Sequence, residues 1–176
     1  GYIIFAFEMI EVVTRNIPFL TQKEIWYHTG GSVELAGRTF FYQALQPPRQ
    51  PHDEFYTLWS NLELPEDVLF NQISETFRYH IRKAQHIEHQ RWFTFQPSEE
   101  LTQKFLSTHR SFSDDKEILP FNENRLNALV KAGHFCLSGA DVQGDTAIFH
   151  SYLAAGSKAR LLSSHNTMPL ADTARG

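Results

Sequence analysis

The stretch that most limits what this chain can become begins at His134. Just before it, Asn122 can cap a helix carrying Leu126, Leu129 and Val130, and Gly133 sits where a left-handed C-terminal glycine is expected. From Phe135 the apolar period changes from 3.6 to 2. "HFCLSGADVQGDTAIFHSYLAAGSKARLLSSH", His134 to His165, holds three apolar runs separated by "GADVQGD" and "AAGSK". Both separators bear glycine, so the runs are expected to pair as an antiparallel meander. In the middle run Ile148, His150 and Tyr152 share one face, and Phe149, Ser151 and Leu153 share the other. Two titratable side chains on one face of a central strand are candidates for handling protons in a cleft.

Helical signals surround this sheet. Pro65 followed by Glu66 and Asp67 marks a helix start. That helix is expected to run to about His86, with Phe70, Ile73, Phe77, Ile81, Ala84 and Ile87 turned to a core. "RWFTFQ" reads as a strand, and Ser98 with Glu99 and Glu100 caps a helix that carries Leu101, Phe105 and Leu106 inward and ends near Phe112. Further strands are expected over Arg38–Ala44 and Phe55–Leu64, with the proline-bearing link "QPPRQPHDE" between them.

The start, "GYIIFAFEMIEVV", is apolar but interrupted by Glu8 and Glu11 and preceded by no basic segment, so it reads as a strand rather than a signal or a membrane span. Because methionine first occurs at Met9, residues 1–8 are expected to be a non-native leader. "NTMPLADTARG" has no apolar period, and a sheet still being laid down near residue 163 is expected to continue past Gly176.

With 176 residues and 41% apolar content, a single domain over 1–176 is expected. Acids outnumber Lys plus Arg 20 to 16, so the molecule as a whole has no attraction for DNA, and a nucleic-acid contact would need a local patch. A single cysteine, Cys136, fits a reducing, cytoplasmic setting and reads as a buried structural thiol.

The basic segment "FRYHIRKAQHIEHQ" admits several chemistries. Around the expected helix Arg78, Arg82, Gln85 and His89 form one stripe clear of the apolar side. Arginines one turn apart can grip a phosphate or carboxylate through several charge-assisted bonds, or can simply lie in water at a helix end. His80, His86 and His89 lack the spacing and the carboxylate that a metal site needs, so no metal is expected. No P-loop, paired-cysteine zinc motif or serine nucleophile elbow occurs.

"ETFRYHIRKAQ" followed by "GDTAIFHSYLAAGSKARLLSSH" resembles the FemAB-like branch of the GNAT acyltransferase fold, over roughly Thr57 to the end. The matching positions are Arg78, Ile81, Arg82, Lys83 and Ala84 on the helix, then Ala147–Leu153 and Arg160–His165. The resemblance implies an α/β (α+β) fold, a mixed, largely antiparallel sheet with flanking helices, incomplete at its C-terminus. It implies acyl transfer from acetyl-CoA or another acyl-CoA to an amine or hydroxyl, such as a sugar or cell-envelope precursor. Arg78, Arg82 and Lys83 would hold substrate, while His150 and Tyr152 would serve the chemistry. Of the glycine-bearing pyrophosphate loop only Arg175 and Gly176 remain as cofactor contacts. Alternatives are an aminoacyl-tRNA-dependent ligase, which needs tRNA affinity, and a non-catalytic module binding anions or glycans.

Overall fold

A computed structural model describes residues 9–17, 20–28, 30–35, 37–44, 60–86, 88–156 and 158–167. The fold is mixed α+β, with two sheets and four helices among these residues. Strands β1 (Ile10–Ile17), β2 (Leu20–Trp26) and β3 (Arg38–Tyr42) form the first sheet, β1 antiparallel and β3 parallel to the central β2. Helices α1 (Glu66–Gln72) and α2 (Glu75–Gln85) lead to β4 (Gln90–Phe95), and α3 (Glu99–Asp115) and α4 (Glu123–Lys131) follow. Strands β5 (Phe135–Val142), β6 (Asp145–Ala155) and β7 (Lys158–Asn166) complete a four-stranded antiparallel sheet in the order β4-β5-β6-β7.

The change of period at residue 134 is therefore a change of element, and the expected meander is the frame of the molecule. Gly133 takes φ +77°, a conformation that β-carbon-bearing residues resist, and so ends α4 where the chain must turn into β5. The inner face of this sheet carries Phe135, Leu137, Phe149 and Leu153, all fully buried, against Phe105 of α3 and Leu126 and Leu129 of α4. Trp92 of β4 lies edge-on to Phe149, 5.6 Å between ring centres, and donates its indole N–H to Asp141 at 2.9 Å. It covers Gly139, where an added Cβ would fall 2.5 Å from the indole ring.

The first sheet joins the same core through Ile10, Val12 and Trp26, with α4 packed on β1. Glu24 of β2 is fully buried and meets Arg125 of α4 through two bonds, 2.7 Å to Nε and 3.0 Å to Nη2. Trp26 Nε1 donates to the same carboxylate at 3.2 Å. The ion pair pins the first sheet to α4.

Three expectations change here. The single helix over 65–86 is two helices, because Ile73 leaves helical geometry and the Ser74 side chain accepts from Phe77 N–H to start α2. The stripe meant for a core is in water: α1 and α2 bury no residue, and Phe77 is 66% exposed. Of the strand expected over Phe55–Leu64, residues 55–59 lie outside the described set, and 60–64 form turn and coil. The link Gln46–Glu54, residues 1–8 expected as a leader, Ile87 and the residues from Met168, including Arg175 and Gly176, also lie outside it.

Candidate functional site

Where α3 ends, the chain crosses to α4 through Leu119 and Pro120 beside the edge strand β7, and an open depression of about 510 Å³ forms. His109 and Phe112 of α3, Ile118 to Asn122 of the connection, Arg125 of α4 and Leu162 to Ser164 of β7 line it. An irregularity in the β6–β7 register sets this wall. Tyr152 pairs with Leu161 but Ser151 pairs with Ser163, so Leu162 is an extra residue bulged toward the core while Leu161 is exposed.

His109 of the lining meets a second buried imidazole, His165 of β7, their ring centres 5.2 Å apart and perpendicular. His165 Nε2 lies 3.0 Å from Thr108 Oγ1. The same hydroxyl lies 3.0 Å from the carbonyls of both Lys104 and Phe105. Nδ1 is buried without a hydrogen-bond partner. Burial, and then the neighbouring imidazoles of His109 and His150, push the His165 pKa down to about 4. His109, 5% exposed, holds Ser113 Oγ at 3.1 Å through Nδ1, and burial lowers its pKa as well. Both rings are neutral at pH 7. Ser113 Oγ occupies Nδ1 of His109, which leaves Nε2 as the ring nitrogen outside that bond.

The charge at the site is balanced before any ligand arrives. Among the described residues Arg125 is the only charged one in the lining, and Glu24, which is not in the lining, already pairs with it.

The residues singled out in the sequence fall into separate places. His150 and Tyr152 share the half-buried outer face of β6, ring centres 6.4 Å apart, opposite in direction to the core-facing Phe149 and Ser151. Ser138 of β5 donates to the Tyr152 hydroxyl at 3.3 Å, and Phe93 lies 6.3 Å from the Tyr152 ring. Burial lowers the His150 pKa. His150 pairs across the ladder with Ser164, a residue of the lining, but does not itself line the depression.

Arg78 and Arg82 brace the joint between α1 and α2. Arg78 Nη1 donates to the Asn71 carbonyl at 3.2 Å, and the Arg82 guanidinium lies 5.4 Å from the centre of the Phe70 ring. Lys83 is exposed in the last turn of α2, and no α2 residue lines the depression. Cys136 is buried in β5, and burial raises its thiol pKa, which suits a structural rather than a nucleophilic thiol. Among the described residues no group of three His, Cys, Asp or Glu side chains could hold a metal, and no helix is long and apolar enough to cross a membrane.

His109, Arg125 and the serines of β7 are the residues that sequence reasoning passed over. His109 lies one turn from Phe105 and Phe112 on the inward side of α3, a spacing visible in the sequence. Its pairing with His165 depends on residues 56 positions apart. Compared with known proteins, the chain matches no family model, and no curated protein matches it.

Proposed function

We propose that the chain is an acyltransferase that moves an acyl group from an acyl thioester such as acetyl-CoA to an amine or hydroxyl acceptor held in the depression. The observation that carries this reading is His109: a neutral imidazole in the lining of an open depression, bonded to Ser113, beside an arginine whose charge is already matched. Attack by an acceptor on a thioester needs a base that is unprotonated at working pH, and a desolvated histidine meets that need.

The acceptor N–H or O–H attacks the acyl carbonyl, and the new C–N or C–O bond forms as the proton passes to His109 Nε2. The C–S bond then breaks, and the imidazolium returns its proton to the leaving thiolate. Among the described residues β7 is the edge strand of its sheet, and an edge strand presents backbone N–H groups of the kind an oxyanion needs. His109 takes the base role in this reading, rather than His150, because it lines the depression.

The resemblance of the 75–85 and 144–165 segments to FemAB-like GNAT proteins supports the same chemistry. Free thiol released from acetyl-CoA, followed with a chromogenic thiol reagent across a panel of amines and alcohols, tests it. The buried Cys136 keeps the protein's own signal low. Acceptor-dependent release is expected; its absence with every amine and alcohol contradicts the proposal.

A further inference from the structure

The helix α2 stands open to water on nearly every side. Apart from the half-buried Arg78, its residues from Glu75 to Gln85 are exposed, and α1 beside it buries no residue either. A helix of 11 residues that packs on no core is marginal in water, so a surface that accepts one of its sides would stabilise it. At about 100° per residue Phe77, Ile81 and Ala84 form one side, with Arg78 on one flank and His80 and Lys83 on the other. Glu75 and Tyr79 point the opposite way. The α1 helix is held on the flank of Arg78 and Arg82, through the Asn71 carbonyl and the Phe70 ring, and Phe77 and Ile81 stay exposed.

Charge says what kind of surface fits. Residues 76 to 86 contain Arg78, Arg82 and Lys83 and no Asp or Glu, in a chain whose acids outnumber Lys plus Arg 20 to 16. Among the described residues no carboxylate pairs with any of these three cations. The complement of such a helix offers hydrocarbon at its centre and anions around it, which is the boundary between headgroups and acyl chains of an anionic lipid layer. A second copy of the chain fits less well. Two helices roughly 16 Å long bury far less than the ~1,200 Å² of a stable interface, and the cations flanking one would meet those flanking the other. A nucleic acid would take the cations but gives Ile81 and Ala84 no hydrocarbon to enter.

We infer that α2 docks the protein on an anionic lipid surface, with Phe77, Ile81 and Ala84 entering the boundary and Arg78 and Lys83 at the level of the phosphates. Arg82 adds to the attraction from the side. The contact is peripheral and reversible, because one short helix buries little hydrocarbon. It is independent of the transferase reading.

The test is co-sedimentation of the full chain with vesicles of phosphatidylcholine alone and of an equal mixture with phosphatidylglycerol. The mixed vesicles are expected to bind at least about tenfold more tightly, at roughly fivefold for each cation near the surface, and added salt should weaken them. Phe77→Ser, outside the core, is expected to weaken binding about tenfold, and Lys83→Glu at least about fivefold, with urea midpoints showing both variants folded. Acyl chains labelled with bromine should quench the fluorescence of Phe77→Trp well beyond that of Tyr79→Trp, which places the tryptophan on the opposite side. The inference is overturned if mixed vesicles bind no better than neutral ones, if neither Phe77→Ser nor Lys83→Glu weakens binding, or if both tryptophan variants are quenched alike. Binding of an RNA oligonucleotide or of polyglutamate by a protein that leaves the vesicles in solution overturns it as well, in favour of that partner.

Discussion

At the scale of single residues, the buried Glu24 and its partner Arg125 carry the clearest energetic consequence. Glu24→Ala leaves a half-buried guanidinium without its anion and is expected to cost about 3 kcal/mol in urea denaturation, whereas Glu24→Leu combined with Arg125→Met should recover most of that loss. Equal losses in the single and double variants would mean that the pair does not act as a unit. Gly139→Ala sets a methyl group against Trp92 and the Ile148 carbonyl, and is expected to cost roughly 1–3 kcal/mol by the same measurement. Neither effect is legible in the sequence. The Glu24–Arg125 contact joins residues 101 positions apart, and glycine at 139 reads as the start of the turn separator "GADVQGD", whereas it lies inside β5.

At the scale of elements, local signals did well where the chain punctuates itself. Ser98, Asn122 and Gly133 cap or end helices as their chemistry predicts, and the period-2 runs become β5, β6 and β7. The failure is α2, whose Phe77 and Ile81 repeat at helical spacing yet face water. Periodicity states that one side of a helix is apolar; it does not supply the surface that covers it. Phe77→Ser is accordingly expected to change stability by less than ~0.5 kcal/mol, against about 3–5 kcal/mol for Phe105→Ala at the centre of the core. A loss of several kcal/mol at Phe77 would show that α2 is packed in solution. The candidate site was less legible than the fold, since His109, Arg125 and Ser163 come from three elements that only the tertiary structure brings together.

At the scale of the whole molecule, the two buried imidazoles link stability to pH. His165 titrates near 6.5 in the unfolded chain and near 4 in the folded one, so below pH 6.5 the unfolded chain binds protons that the folded chain refuses. Stability is therefore full above about pH 6.5 and is lost as pH falls toward 4, by roughly 3 kcal/mol at ~1.4 kcal/mol per pKa unit. His109, lowered in the same direction, adds to the loss. His165→Phe, placed among Phe105, Phe112 and Phe149, should flatten part of this slope, and urea midpoints unchanged between pH 6.5 and 5 in the natural protein would contradict the assignment. The same neutral His109 is the centre of the functional account. The most direct measurement is the rate of acyl transfer from acetyl-CoA for the natural protein and for His109→Gln, read against pH with folding checked by urea midpoint. The account predicts an acid-side fall with an apparent pKa below 6.5 in the natural protein, and a rate at least ~100-fold lower in a folded His109→Gln. A folded His109→Gln that transfers acyl groups as fast as the natural protein would contradict it.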